Sequence, residues 1–129
     1  MSLTISISDG PLDELRPDVW PPDGAGAILS FDGLVRAREG DGTISALDYQ
    51  AYEPMARHML EEIARDLIQR HGLIAMHIHH SRGRVGVGEC SFRLLVAAPH
   101  RKEALAAMDE FIDRLKRDVP IWKKPVWGN

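Results

Sequence analysis

The sequence predicts an α+β domain in which a mostly antiparallel or mixed sheet is covered by two main helices. Short apolar segments with the two-residue period of strands lie on both sides of two longer segments with the period of an amphipathic helix. Glycine- and proline-containing turns separate these segments. The 129 residues, 44% of them hydrophobic, fit one domain over residues 1–129 with an apolar core.

The N-terminal half is predicted to contain three strands. Leu3, Ile5 and Ile7 alternate with polar residues up to Gly10, and a short helical turn is expected over residues 12–20. A second strand is predicted over residues 25–36, where the alternation is imperfect. Residues 36–42 hold two glycines and four charged side chains, so we predict an exposed, mobile hairpin loop that leads to a third strand over residues 43–52.

The C-terminal half is predicted to contain both helices. Pro54 suits a first helical turn and Gly72 a left-handed cap, with an apolar face formed by Met55, Met59, Leu60, Ile63 and Leu67. Strands follow over residues 73–80 and 89–98, with a glycine-rich turn over residues 82–88 between them. The last helix begins near Pro99, ends near Pro120 and presents one face formed by Ala104, Leu105, Met108, Phe111, Ile112 and Leu115.

Composition excludes several classes of protein. The net charge of -3 and the pI of about 6.0 offer no general surface for nucleic acid. No run of about 18 apolar residues could cross a bilayer, and the N-terminus lacks the features of a signal peptide. The single cysteine, Cys90, is predicted to be a buried, inert thiol, which fits the reducing cytoplasm. We therefore expect a cytoplasmic protein that binds no membrane.

The C-terminal segment over residues 120–127 places Lys123 and Lys124 between Trp122 and Trp127. Its prolines restrict the backbone, so a stiff, basic extended strand is predicted. Ammonium groups held in this way can bind an anionic substrate, and indole rings can form flat walls for a heterocycle. The alternative is an edge strand with solvated lysines.

Other cationic residues could contribute to an anion site. His100 and Arg101 begin the last helix, where unpaired N–H groups and the helix dipole attract anions. Lys116 lies at the other end of that helix, and Arg36 ends the second strand. Each of them is also compatible with an ordinary solvated surface position.

His77, His79 and His80 form the one histidine cluster. On a strand His77 and His79 share a face while His80 lies on the other, and no cysteine or carboxylate completes a tetrahedral set. We predict neither a bound metal ion nor a cofactor.

Several short motifs occur together in a characteristic order. Their order and spacing over residues 25–125 resemble those of the MoaE family, the large subunits of molybdopterin synthase: Gly33-Leu34-Val35-Arg36, residues 47–52 with Met55-Ala56, Gly88-Glu89, His100-Arg101, residues 112–116 and Pro120-Ile121-Trp122-Lys123-Lys124. The resemblance implies an α/β-hammerhead fold. It also implies a homodimer at the centre of a heterotetramer, and sulfur transfer from the Gly-Gly thiocarboxylate of a ubiquitin-like, MoaD-type small subunit to cyclic pyranopterin monophosphate, which yields molybdopterin.

The resemblance also assigns site residues. It implies a catalytic pair, Lys116 and Lys123, and substrate contacts at Leu34, Val35, Arg36, His100, Arg101, Lys116, Lys123, Lys124 and Pro125. The pattern differs from the family's at Pro125, where an acidic residue is usual, at residues 80–83, and at Asn129, after which relatives usually continue. These differences leave two alternatives open: a weaker site or a weaker hold on the small subunit, or a sequence that is part of a longer chain.

The length of the last helix limits how one chain could use these residues. At 1.5 Å per residue, His100 and Lys116 are separated by roughly 24 Å, which one pterin cannot bridge. We therefore expect a composite site, with Arg36, Lys116 and Lys123 from one subunit and His100 with Arg101 from its mate. Lys116 and Lys123 are expected to stabilise negative charge and to transfer protons, and the others to hold the phosphate.

Two other functions are compatible with parts of the sequence. A non-catalytic homologue could keep the small-subunit groove without turning over a pterin. A nucleic-acid-binding domain could use Trp122, Lys123, Lys124 and Trp127 as a stacking surface, although the acidic net charge disfavours it.

Overall fold

The computed structural model describes residues 2–13 and 20–128. These residues form β1 (Ser2–Asp9), β2 (Ala27–Leu34), β3 (Arg38–Glu39), β4 (Gly42–Ala51), α1 (Met55–His71), β5 (Ala75–Gly86), β6 (Cys90–Ala98), α2 (Arg101–Asp118) and β7 (Ile121–Trp127). The predicted fold class, a mixed sheet with two helices, is confirmed. The helical turn predicted over residues 12–20 falls mostly on residues 14–19, outside the described part of the chain.

The sheet is organised around β5. Its first half pairs antiparallel with β6 and parallel with β1, and β6 in turn pairs with β2. Its last residues pair with β4 instead, and the other edge of β4 receives β7 over residues 121–127. The basic C-terminal segment is therefore a strand, as predicted, and its register places Lys123 opposite Tyr49.

The glycine-rich turn predicted over residues 82–88 is wrong for most of its length, because β5 continues to Gly86. Gly83 has a φ of +80°, which a residue with a side chain adopts only at a cost, and it lies where β5 leaves β1 and begins to pair with β4. Val85 is then fully buried. These glycines redirect a continuous strand, and the turn itself is confined to residues 87–89.

The charged segment over residues 36–42 also differs from its prediction. Arg38 and Glu39 form β3, which pairs with Thr43 and Gly42 in a tight hairpin around Gly40, whose φ is +60°. This segment is therefore partly a strand, and its pairing with β4 gives the backbone of Glu39 a defined position.

Both helices pack on the same face of the sheet. The main core contains Leu60, Ile63 and Leu67 from α1, Phe111 and Leu115 from α2, and Ile78, Phe92, Leu94 and Val96 from the sheet. The ends of α1 lie as predicted, with Gly72 in the left-handed conformation. Neither helix among the described residues is long and apolar enough to cross a membrane.

Two residues assigned to the apolar helix faces are exposed instead. Met55, at the first position of α1, is 45% exposed, and Leu105 is 54% exposed on α2. Ala107, outside the predicted face, is buried instead, because its small side chain lets α2 approach its neighbours closely. The rest of the predicted face of α2 is confirmed, since Ala104, Phe111 and Leu115 are buried and Met108 and Ile112 pack partly buried against the core.

Candidate functional site

A cleft of about 460 Å³ opens where the C-terminal end of α2 meets β7 and the end of β2. Its volume lies within the range of small-molecule sites. We call it the α2–β7 cleft; its lining consists of Phe31, Gly33, Leu34, Tyr49, His80, Ser91, Phe92, Ile112, Leu115, Lys116, Ile121, Trp122 and Lys123.

The two lysines assigned as a catalytic pair lie in this cleft. Lys116 follows the buried Leu115 in the last turn of α2. Packing of the helix therefore fixes the backbone position from which the Lys116 side chain extends. Lys123 extends from β7, and its Nζ lies 3.6 Å from Oε2 of Glu39 on the β3 hairpin. Two cations and one carboxylate therefore surround an opening whose deeper walls are apolar.

Of the other predicted contacts on the same side of the molecule, Leu34 lines the cleft, but Val35 does not. Val35 is buried in a small second core with Ile44, Leu47 and Val85. Its backbone N–H donates to the carbonyl of Glu89 at 3.1 Å. Arg36 is exposed just beyond β2. The structure thus places only the first of these three side chains in the cleft wall.

Lys124 and Pro125 follow Lys123 on β7 without lining the cleft. The register pairs Lys124 with Asp48 and Pro125 with Leu47. Because successive side chains on a strand point to opposite faces, Lys124 extends away from the face that carries Lys123. Lys124 is exposed and Pro125 is partly buried.

His100 and Arg101 lie at the opposite end of α2. His100 precedes the helix in an extended conformation, and its Nδ1 lies 3.4 Å from the Oε1 of Glu103. The helix is continuous over residues 101–118, so its length separates His100 from Lys116 by roughly 24 Å. One chain therefore brings Leu34, Lys116 and Lys123 together but leaves His100 and Arg101 remote.

The polar floor of the cleft was not predicted. The hydroxyl of Tyr49 lies 2.9 Å from the Oγ of Ser91, which lies 3.4 Å from the carbonyl oxygen of Gly33. Burial raises the pKa of Tyr49, although the hydrogen bond with Ser91 opposes part of that effect. Tyr49 is thus a neutral hydroxyl at physiological pH.

His80 completes this floor, and only 6% of its surface is exposed. Its Nδ1 lies 2.7 Å from the carbonyl oxygen of Ser81. Burial lowers the pKa of His80, with a smaller opposing effect from that hydrogen bond. The strand pattern offered a signal for this residue, since His80 continues the core-facing alternation of Met76 and Ile78.

The remaining histidines lie in separate environments. His79 is hydrogen-bonded to the hydroxyl of Ser6 at 2.6 Å, and the ring of His77 meets the ring of Trp20 edge to face at 5.3 Å. Within residues 2–13 and 20–128, no group of three metal-ligating side chains comes together. Cys90 is buried, as predicted, and its thiol donates to the carbonyl of Phe92 at 3.3 Å.

This arrangement suits a flat, anionic small molecule. Lys116 and Lys123 can bind negative charge at the opening. Trp122 and Phe92 provide aromatic walls, and the hydroxyls and imidazole of the floor provide directional hydrogen-bonding groups.

Comparison with known proteins gives one consistent result. A family model described as MoaE protein matches residues 8–118. A molybdopterin synthase catalytic subunit of Nostoc sp. is 41% identical over 103 residues, which are 79% of this chain and 62% of that protein. One from Bacillus subtilis is 40% identical over 103 residues, 80% of this chain and 66% of that protein. The chain thus spans just under two thirds of the length of these relatives.

Solved structures share the fold. Molybdopterin synthase from Staphylococcus aureus superposes with a TM-score of 0.82 at 30% identity, covering 95% of this chain and 90% of that one. A complex of subunits 1 and 2 of molybdopterin-converting factor from Helicobacter pylori contains a chain that superposes with a TM-score of 0.75 at 26% identity, with 97% and 90% coverage.

Proposed function

The chain belongs to the MoaE family, and from this premise we propose that it is the catalytic subunit of a molybdopterin synthase. It transfers sulfur from the C-terminal thiocarboxylate of a ubiquitin-like small subunit to cyclic pyranopterin monophosphate. The observation that carries this proposal is the α2–β7 cleft, in which Lys116 and Lys123 lie at the opening, with aromatic walls and a polar floor below them.

The cleft supports the proposed chemistry in two ways. Transfer from a thiocarboxylate places negative charge on sulfur and on an acyl oxygen, and two ammonium groups stabilise such charge where it develops. The aromatic walls suit a pterin ring, because flat heterocycles stack on aromatic faces. A Gly-Gly terminus, which has no side chains, would enter such a cleft without steric hindrance.

The proposed substrate also carries a phosphate, for which His100 and Arg101 are the expected ligands. Since the length of α2 keeps them away from Lys116 in one chain, we infer a homodimer in which each site uses His100 and Arg101 of the other subunit. Two small subunits bound to this dimer would give a heterotetramer. The Helicobacter pylori complex of two subunits supports a small-subunit partner of this kind.

The first test replaces Lys116 by alanine. Without this ammonium group, formation of the dithiolene product from thiocarboxylated partner and cyclic pyranopterin monophosphate should fall by about 100-fold or more, while the chain remains folded and dimeric. Arg117→Ala is the matched control, because Arg117 is the adjacent exposed cation and pairs with Asp118 at 3.0 Å. Near-normal turnover by Lys116→Ala would contradict the assignment.

Mixed dimers test whether the site is composite. Lys116→Ala and Arg101→Ala homodimers should each be inactive. A heterodimer of the two should regain about half of the wild-type activity, because one of its two sites then combines an intact Lys116 with an intact Arg101. If no activity returns, Arg101 and Lys116 do not serve one site across the interface.

The non-catalytic alternative gives a different result in the same assay. A chain that only binds the small subunit would form the complex, detectable by size-exclusion chromatography, and yet release no dithiolene product from any variant. Product formation by the wild-type chain therefore separates the two functions.

A further inference from the structure

The proposed sulfur transfer, on which this inference rests, requires a proton acceptor. The thiocarboxylate sulfur of the partner bonds to a side-chain carbon of the substrate as a carbon–oxygen bond there breaks and the oxygen leaves, so a thioester then joins the two molecules. Water must then attack the acyl carbon, and this water has to lose a proton. The ammonium groups of Lys116 and Lys123 donate hydrogen bonds but have no lone pair with which to accept that proton.

His80 has the required lone pair, and its hydrogen bonding shows on which nitrogen. A backbone carbonyl only accepts hydrogen bonds, so the 2.7 Å contact with the carbonyl of Ser81 requires a proton on Nδ1. In the neutral ring the other nitrogen, Nε2, is then unprotonated. Among the described residues no side chain or backbone group donates to Nε2, and the ring lines the cleft.

The surroundings keep this ring in place. The ring of Tyr49 meets it edge to face at 5.3 Å, and the ring of Phe92 lies at 5.8 Å. Among the described residues, the titratable groups at the cleft are Tyr49 from β4, Lys116 from α2 and Lys123 from β7, with the Glu39 carboxylate of β3 3.6 Å from Lys123. β6 contributes only Ser91 and Phe92 to the lining. Burial lowers the pKa of His80 and so favours the uncharged imidazole, with a smaller opposing effect from the hydrogen bond to Ser81.

We propose that His80 is the general base of the α2–β7 cleft, accepting at Nε2 a proton from the water that cleaves the acyl thioester. The water oxygen bonds to the acyl carbon, and the carbonyl electrons move to its oxygen, next to the lysines. When these electrons return, the carbon–sulfur bond breaks and the sulfur leaves as a thiolate on the pterin. The thiolate takes the proton from Nε2, which restores neutral His80, and the partner departs as a carboxylic acid that ionises in water.

The protonation state can be measured without turnover. In protein labelled with ¹⁵N at histidine, the ring nitrogens of His80 should show the pattern of the tautomer protonated on Nδ1 near pH 7.5. His80→Gln identifies the signal. A ring protonated on Nε2 or on both nitrogens at this pH would overturn the proposal, whatever the activity of the protein.

Kinetics test the role itself. His80→Gln should slow product formation by about 100- to 10,000-fold, the usual range for loss of a general base, and should accumulate the partner–substrate thioester, seen as a covalent adduct by intact-mass analysis. His79→Gln, the neighbouring residue bonded to Ser6, is the control and should behave like wild type. His80→Ala, if folded, should recover part of its rate with added imidazole.

Activity should also fall as the pH is lowered through the pKa of His80, and this dependence should disappear in His80→Gln. Turnover by His80→Gln within threefold of wild type, with the same pH profile and no adduct, would overturn the inference while the sulfur transfer stands. If wild-type protein forms no product with the proposed substrates, the proposed function itself fails, and the nitrogen spectra still decide whether Nε2 is unprotonated.

Discussion

Gly26 packs closely against the backbone of Pro99, which precedes His100, a predicted substrate contact. A Cβ at Gly26 would lie 2.2 Å from the carbonyl oxygen of Pro99, the residue before His100. Because that neighbour is backbone, Gly26→Ala should shift the start of α2 and lower the free energy of unfolding by about 1–3 kcal/mol in urea titrations.

Gly42→Ala provides the comparison for this prediction. Its Cβ would meet the ring of Trp127 at 2.4 Å, but that side chain is 60% exposed at the end of β7 and can rotate away. We expect Gly42→Ala to change stability by only about 0.5 kcal/mol. If Gly26→Ala and Gly42→Ala lowered the free energy of unfolding equally, the Pro99 backbone would move aside as easily as an exposed side chain.

At the residue scale, the sequence identified charged groups better than the polar floor. Lys116 and Lys123 belong to a distinctive motif, and both lie in the cleft. For His80 the sequence suggests only a metal ligand, since nothing local shows that its Nδ1 is hydrogen-bonded to the carbonyl of the next residue. The buried orientation of Val35 depends on Ile44 and Val85, which are distant in sequence, so a motif alone did not indicate it.

At the scale of elements, periodicity gave the bounds of both helices closely, but the buried face of α2 less well. Leu105 fits the apolar stripe and is exposed, whereas Ala107 is buried. The choice between them depends on how closely α2 approaches β2 and β6, and a helical period contains no information on that distance. The same holds for Gly83, whose effect on β5 depends on pairing with β4.

Two substitutions on α2 test this orientation of the helix. Phe111 is fully buried and stacks on Phe92 with 6.3 Å between ring centres. Phe111→Ala should therefore cost about 3–5 kcal/mol of stability, through lost burial and the cavity left behind. Leu105→Ala should stay within about 0.5 kcal/mol, and both values follow from urea unfolding of the isolated chain. A large loss for Leu105→Ala would mean that this side chain is covered in solution.

For the whole molecule, the fold class was predictable, because it follows from the order of the elements. The arrangement of strands that forms the α2–β7 cleft was not predictable. The cleft needs β7 on the far edge of β4 and the β3 hairpin beside Lys123, and both are long-range pairings. The separation of His100 from Lys116 was predictable, because the length of a helix is fixed by its number of residues. One chain therefore cannot bring His100 to Lys116.

Three buried or partly buried histidines predict how the stability of the whole molecule responds to acid. Burial lowers the pKa of His77, His79 and His80, and for His79 the positive charge of nearby groups adds to the effect. The unfolded chain, with histidine pKa values of about 6.5, then binds more protons than the folded chain below that pH. The contribution of these neutral histidines to stability is therefore complete above about pH 6.5. It is lost as the pH falls towards their lower pKa values in the folded chain.

We expect the free energy of unfolding, measured in urea, to fall between pH 7.5 and pH 5.5, before most carboxyl groups are protonated. The lowered pKa of Asp66, due first to its hydrogen bond with Arg114, contributes only at more acidic pH, near the ordinary carboxyl range of about 4. His79→Gln should reduce the loss, since one of the three histidine rings with a lowered pKa no longer titrates. A stability that is constant over this range, or unaffected by the substitution, would mean that these rings are protonated as readily in the folded chain as in the unfolded one.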